Sequence, residues 1–389
     1  MVQEIRVATR IQPPGGSEAD ALKSRLRQLE LENERLRAEL DQALRVLNEH
    51  QNPKDHKTDR GLLLLSFDGG GVRGLSSLYI LRELVGPDTR PCEIFDLIAG
   101  TSTGGFVVIH VPFAFKPDHS ILRLIAIMLG RLRMTVQCCI ERYQDLVSTV
   151  FGHHRLLQWF GLLALEERFD SDILERVIRS VVGDEHGELL EDSRDHACKV
   201  FVVATDTSNI NNRPPKRFRT YSYGSVVADQ CNIWEAARAT SAAPTYFLPI
   251  EINGRTYVDG ALGCNNPTEE LVLEARAIWP QRPISCLLSI GTGTENEASL
   301  AQHLGVIPRT MLGLMKYATI TEGVHNRIFE QYCGQGSYFR FSVTKLGSQV
   351  RMDAWRDVAK LEKLTMDYLA VSHVAGLIDE CRLLLNDGR

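Results

Sequence analysis

Apolar positions along this chain change their spacing abruptly, and the change divides the chain into parts of different kinds. Between Leu22 and Leu47 they fall on a heptad seam, with Leu26, Asn33, Leu40 and Leu47 at a and Leu22, Leu29, Leu36 and Ala43 at d. In that register Arg25 pairs with Glu30 and Glu32 with Arg37, both opposite in sign, and Asn33 at an a position favours a parallel dimer. The spacing predicts a helix over 18–50 that forms a short homodimeric coiled coil through residues 22–47. A solvated amphipathic helix lying on its own domain would carry the same stripe. Residues 1–17 are polar, with Pro13, Pro14, Gly15 and Gly16, and are expected to be disordered; residues 51–60 form a charged linker.

From Gly61 onward the period is that of buried strands. Leu62 to Phe67 is an apolar run ending in glycines, the mark of a strand covered on both faces. Leu75 to Val85 reads as a helix. Ile94 to Ala99, Cys198 to Ala204 and Ile284 to Ile290 repeat the strand signal, and Val358 to Leu385 is amphipathic and helical. Strands alternating with helices predict a parallel, helix-covered sheet in one large α/β domain over residues 61–389.

Composition narrows the class further. With 389 residues and 44% apolar content the chain can bury a sizeable core without disulfides. Its net charge of -5, with acids and bases interspersed, leaves no basic footprint for nucleic acid and no strong field toward an anionic membrane. Nine cysteines are scattered, with no C-x-x-C pair, as in a reducing compartment. The N-terminus lacks an apolar signal region, and no run approaches the ~18 residues of a spanning helix. A cytoplasmic protein is expected, with peripheral contact to intracellular membranes.

Three short motifs carry the candidate chemistry. Asp68 to Gly74, D-G-G-G-V-R-G, sits between a strand and a helix, where bare backbone N–H groups converge on an anion. It also contains a formal G-x-G-x-x-G, but Glu93 and Asp96, the acids a dinucleotide site would want, stand before or within the next apolar run rather than after it. Gly100 to Gly104, G-T-S-T-G, is a G-x-S-x-G nucleophile elbow following a strand. Val258 to Ala261 contains Asp259-Gly260-Ala261, which by itself reads as a hairpin turn. His153, His154 and His325 are the histidines that would complete a triad, although none of the eleven histidines lies in an interpretable motif. Ser289 to Thr294 follows a strand and reads as a turn at the sheet's carboxyl edge; without a Gly-Lys-Ser/Thr it is a weak phosphate site.

Taken in order, these motifs resemble the patatin-like phospholipase family from about Leu62 through Asp259, and more weakly to the C-terminus. Asp68 to Gly74 is similar to that family's oxyanion loop, Gly100 to Gly104 to its nucleophile elbow, and Asp259-Gly260-Ala261 to its D-G-A/G. Ala236 to Phe247 resembles the segment leading to its catalytic aspartate. The resemblance implies a three-layer α/β/α fold with a mainly parallel sheet, and a Ser102–Asp259 dyad acting on acyl esters of phospholipids or related lipids. Gly69, Gly70 and Gly71 would form the oxyanion hole, with Arg73 adding positive charge or, alternatively, making a surface ion pair. Gly74, Gly100, Gly104 and Gly260 would be the motif glycines. This chemistry needs no metal or cofactor, but an aspartate near its ordinary pKa of ~3.9 is a weak base, so Asp259 must be desolvated or otherwise raised by its pocket.

The chain departs from the family after Gly105. Phe106 to Arg123 intervenes, with Pro112 and Pro117, before L-I-A-I-M-L-G-R. Those prolines would break the helix expected behind the elbow. Joining Gly105 to Leu124 restores an unbroken elbow and helix, and the frame allows a translated intron: GGG at codon 105 followed by T supplies GT, and an AGx codon 123 supplies AG. A genuine lid with a lipid-facing apolar side is the other explanation. Three functions are compatible with the sequence: a lipid acyl-hydrolase, a catalytically impaired scaffold dimerised by the coiled coil, and a nucleotide-binding protein.

Overall fold

A computed structural model describes residues 60–101, 125–152, 171–182, 188–194, 197–209, 215–242, 247–294, 309–350 and 354–387. The expected disordered segment 1–17, the coiled coil over 18–50, the linker up to residue 59, the insertion 106–123 and the His153–His154 pair all lie outside the described residues.

The described strands form one eight-stranded sheet. They are β1 (Leu62–Phe67), β2 (Leu97–Thr101), β3 (Lys199–Asp206), β4 (Lys216–Arg219), β5 (Ile250–Ile252), β6 (Arg255–Asp259), β7 (Ile284–Ile290) and β8 (Tyr338–Phe341). Their order is β5-β6-β3-β2-β1-β7-β8, with β4 also paired to β3. Strands β3, β2, β1, β7 and β8 run parallel, whereas β4, β5 and β6 join antiparallel at the β3 edge. The sheet is thus mainly parallel, as the alternating pattern predicts, with an antiparallel flank that the pattern does not contain.

Strand β1 shows why its run is continuously apolar. Alternate side chains of a strand point to opposite faces, and both faces are covered. Leu63, Leu65 and Phe67 pack into one core with α1 (Gly74–Val85), α3 (Val136–Gly152), α4 (Ser171–Val182), α5 (Ile233–Thr240), α9 (Val358–Leu369) and α10 (Ser372–Asp387). Leu62 and Leu64 pack into a second core with α6 (Thr268–Ile278) and α7 (Arg309–Tyr332). Two short helices, α2 (Pro91–Ile94) and α8 (Leu346–Gln349), complete the set. The result is the three-layer α/β/α arrangement.

Two element boundaries differ from the sequence reading. The run Ile94–Ala99 is not one strand: Pro91 opens α2 at its first position, Ile94 ends that helix, and β2 begins at Leu97. Ile94 and Phe95 are buried because they pad the first core, not because they extend the sheet. The C-terminal amphipathic stretch is two helices, broken between Leu369 and Ser372.

Asp96 ties the entry of the domain together. Its carboxylate accepts from the Leu63 N–H at 2.9 Å and from Arg60 at 3.0 Å. This contact places Asp96 at the amino end of β1, whereas the Gly-rich loop leaves its carboxyl end. Glu93, the other acid weighed for a dinucleotide ribose, lies half exposed beside Arg90 and Arg133. Neither of the two candidate acids therefore serves a dinucleotide at the loop's end of the sheet.

Candidate active site

The site is assembled at the carboxyl edge of the sheet, where the central parallel strands release their loops. Strand β1 ends at Phe67, which pairs with Gly100 of β2. The Gly-rich loop and the residues leading into the elbow therefore emerge side by side. Strand β3 lies on the far side of β2. Along it, Val203 faces Thr101 on one side, and the next residue, Ala204, faces Asp259 of β6 on the other. Strand β6 runs antiparallel to β3, and its last residue meets β3 at Ala204. Ser102, Thr103 and Gly104 lie outside the described residues; Thr101, one peptide bond ahead of Ser102, is 1% exposed.

Asp259 is 1% exposed. It ends β6 and opens a single helical turn, Gly260–Leu262, with its Oδ1 accepting from the Ala261 N–H at 2.7 Å. The isolated Asp-Gly is thus a strand-to-turn junction, not the hairpin turn that its local sequence would favour. The backbone is pinned as well: the Asp259 N–H donates to the Ala242 carbonyl at 3.0 Å. Ala242 follows α5, so the Ala236–Ala242 half of the family-like segment buttresses the aspartate. Glycine is required next to it, because a Cβ on Gly260 would stand 2.4 Å from the Val203 carbonyl oxygen.

The Gly-rich loop is held from several elements. Asp68 donates its N–H to the Ile290 carbonyl at 3.0 Å, and Gly69 donates its own to the Asn265 carbonyl at 3.3 Å. The Thr292 hydroxyl donates to the Gly69 carbonyl, and the Arg73 N–H to the Gly70 carbonyl at 3.2 Å. The Tyr143 hydroxyl donates to the Gly71 carbonyl at 2.9 Å. Among the described residues, no acceptor meets the N–H of Gly70 or of Gly71. Of the three glycines expected to supply oxyanion donors, Gly69 has its N–H committed elsewhere. Arg73 is 2% exposed, which removes the surface ion pair as its role.

Beneath the loop lies a buried ion pair that sequence reasoning missed. Arg340 grips Asp68 with two hydrogen bonds, Nη1 to Oδ1 at 3.0 Å and Nη2 to Oδ2 at 2.5 Å, and their side chains are 6% and 2% exposed. Arg340 Nη1 also donates to Ser289 Oγ at 2.8 Å, and Ser289 joins Thr268 and Ser66 in a buried hydroxyl chain. Burial opposes the charge on Arg340, yet the Asp68 carboxylate and its hydrogen bonds outweigh it and raise the guanidinium pKa above its ordinary value. The signal available in the sequence was a lone arginine inside the apolar run Y-F-R-F, which a buried strand tolerates only with a partner. Ser289 and Ile290 are the last residues of β7, and residues 291–294 are the expected turn at the sheet's carboxyl edge, from which Thr292 reaches this loop while Ser289 holds Arg340.

His325 is not near the aspartate. Its Nδ1 lies 3.0 Å from the Tyr338 hydroxyl on β8, and β8 is five strand positions from β6, about 24 Å at ~4.8 Å per strand. Burial and the Arg340 charge hold the His325 pKa below its ordinary value, against the smaller effect of Glu322. A depressed histidine contributes stability that is whole above its unfolded pKa of about 6.5 and is lost as pH falls through the lower folded value. His325→Gln is therefore expected to flatten the decline of the melting temperature between pH 7 and pH 5. An unchanged slope would show that His325 is not the group responsible.

Residues 125–131 pack beside Gly100. Ile125 and Ala126 are helical, Ile127–Arg131 form one wider π turn, and all seven residues are buried. A Cβ on Gly100 would lie 2.8 Å from that of Ala126. The two flanks of the 102–124 stretch are thus in van der Waals contact.

A family model described as patatin-like phospholipase matches residues 65–272, a span that takes in the Gly-rich loop, the elbow and Asp259. The chain is 30% identical over 319 residues to calcium-independent phospholipase A2-gamma of Mus musculus, covering 79% of this chain and 38% of that protein. It is 30% identical over 291 residues to Phospholipase A I of Arabidopsis thaliana, covering 60% of this chain and 21% of that protein. Patatin-like protein 1 of Oryza sativa subsp. indica is 29% identical over 269 residues, covering 61% of this chain and 60% of that protein. The chain spans well under half the length of the first two relatives.

Proposed function

The chain belongs to the patatin-like phospholipase family, and from that membership we propose that it hydrolyses acyl ester bonds of phospholipids or related lipids, with Ser102 as nucleophile and Asp259 as base. The observation that carries the reading is the register at β3, where Thr101 and Asp259 stand across adjacent residues of one strand. Thr101, the residue that precedes Ser102 in the chain, and Asp259 therefore stand at one edge of the sheet. The relatives named phospholipases support the lipid substrate.

In this mechanism Asp259 takes the Ser102 hydroxyl proton as Oγ bonds to the ester carbonyl carbon. The hydrogen bond from Ala261 fixes the plane of the carboxylate, and burial keeps it from bulk water. The N–H groups of Gly70 and Gly71 receive the oxyanion, with the Arg73 charge buried alongside. The ester C–O bond then breaks and the departing alcohol takes the proton from Asp259. Water gives a proton to Asp259 as it attacks the acyl-enzyme, and Ser102 leaves with that proton. No step uses a metal. Among the described residues no helix is long and apolar enough to cross a membrane, and the proposed setting is the cytoplasm, with the protein meeting lipid at a membrane surface. Residues 22–47 are proposed to dimerise the chain.

Contact between Gly100 and Ala126 bears on the insertion. Because Gly100 and Ala126 already meet, a chain joined from Gly105 to Leu124 has a short gap to bridge. We read Phe106–Arg123 as translated intron; the gene must then carry GGG at codon 105 and AGx at codon 123, and either codon differing rules out that boundary. The test of function is hydrolysis of a short-chain aryl ester, with EDTA present, by this chain and by one lacking Phe106–Arg123. Serine-dependent hydrolysis by the shortened chain alone is the expected result. Equal hydrolysis by both makes the segment a tolerated loop. Absence in both removes the hydrolase reading in favour of a dimerised scaffold.

A further inference from the structure

The orientation of the oxyanion donors is set from the carbonyl side of each peptide. In a trans peptide the C=O and N–H point in opposite directions, and no cis bond occurs among the described residues. The peptide joining Gly69 to Gly70 has its carbonyl bonded to the Thr292 hydroxyl. Thr292 reaches it from the end of β7, on one side of β1, while β2, ending at Thr101, lies on the other side. The Gly70 N–H, at the opposite end of that peptide, therefore turns away from β7 toward the side where Thr101 ends β2.

Thr292 is itself held firmly. It is 5% exposed and packs so closely on the loop that a Cβ at Gly70 would come within 2.1 Å of its Cβ and Oγ1. Its neighbours are tied to two other elements. The Gly291 N–H donates to the Phe341 carbonyl at 2.8 Å, Ser77 of α1 donates to the Gly291 carbonyl at 2.9 Å, and the Gly293 N–H donates to Ser342 Oγ at 3.2 Å. A hydroxyl on such a mount fixes the rotation of one peptide plane.

We propose that Thr292 is a positioning residue for hydrolysis: its hydroxyl, by holding the Gly69 carbonyl, aims the Gly70 N–H at the developing oxyanion. The inference rests on the acyl-hydrolase reading above. It acts on the transition state, because the negative charge that Gly70 meets is absent from the ground-state ester and develops on the way to the tetrahedral intermediate.

The experiment compares Thr292→Val with Thr292→Ser in whichever form of the chain hydrolyses the aryl ester. Valine keeps the shape and loses the hydroxyl; serine keeps the hydroxyl and loses the methyl. Losing an oxyanion donor outright lowers kcat by about 10²- to 10³-fold, so misaiming one is expected to lower kcat by about 10- to 100-fold in Thr292→Val. KM should stay within about threefold, and Thr292→Ser should keep at least about half of the parent kcat. Should Thr292→Val fail to fold, Thr292→Cys keeps the volume of serine with only a weak S–H donor, and is compared with Thr292→Ser in the same way. A folded Thr292→Val with parental kcat, or equal losses in the valine and serine variants, overturns the role. Hydrolysis that persists in Ser102→Ala, or is absent from both forms of the parent chain, instead removes the underlying reading and the role with it.

Discussion

Asp259→Asn is expected to lower kcat for an aryl ester by about 10³- to 10⁴-fold without unfolding the protein. The substitution is almost isosteric, and the asparagine Oδ1 can still accept from the Ala261 N–H as the carboxylate does at 2.7 Å. The turn therefore keeps its local bond, and Gly260 keeps its approach to Val203. What disappears is an atom able to accept the Ser102 proton. Ser102→Ala should reduce kcat by a similar factor, and the double variant should be little worse than either single one, because a nucleophile and its base act as a unit. The measurement is kcat in all three variants, with a melting curve for each. An Asp259→Asn protein that turns over at the parental rate would exclude Asp259 as the base. Additive losses in the double variant would mean that the two residues do not work as a dyad.

The second large effect concerns stability. Arg340→Met leaves Asp68, whose side chain is 2% exposed, without the guanidinium that grips it. Removing one member of a buried pair strands the other charge, at a cost of about 3–5 kcal/mol. Asp68→Asn/Arg340→Met removes both charges, and replacing a whole buried pair is often close to neutral. The double variant is therefore expected to recover most of the stability that the single one loses, as read from chemical denaturation. Equal destabilisation in the single and double variants would mean that the shape of Arg340, not its charge, matters there. Ser289 and the hydroxyl chain through Thr268 and Ser66 remain in both proteins, so the comparison isolates the ion pair.

These two residues illustrate how far the sequence was legible. Asp259 could be singled out because Asp-Gly-Ala stands in order after a Gly-rich loop and a G-x-S-x-G, and a motif of that kind reflects local backbone needs. Gly260 is a glycine for a contact less than 3 Å away. Arg340 had no comparable motif, since its partner is 272 positions earlier in the chain. Asn265 and Thr292 escaped for the same reason: their contacts to Gly69 are made by neighbours that only the sheet brings together. Gly69 itself shows the converse. Its place in the motif made it an expected oxyanion donor, and a hydrogen bond to Asn265 takes its N–H away from that role.

The sequence by itself determined the elements whose signal is local. A strand buried on both faces must be apolar at consecutive positions, so β1 and β7 could be bounded within the chain alone, and α1 was marked by the apolar, helix-forming residues after the glycines. The sequence also identified the family, because its three motifs each answer to a short stretch of backbone. Tertiary structure alone decided the antiparallel flank that carries Asp259 to the level of Thr101, and the strand order that sends His325 to the far edge. It also decided the ring of distant side chains around the Gly-rich loop. The physical reason is range. Hydrophobic period, glycine requirements and turn chemistry act over a few residues, whereas strand register, buried ion pairs and peptide orientation are settled by groups tens to hundreds of positions apart that meet only after the cores have closed.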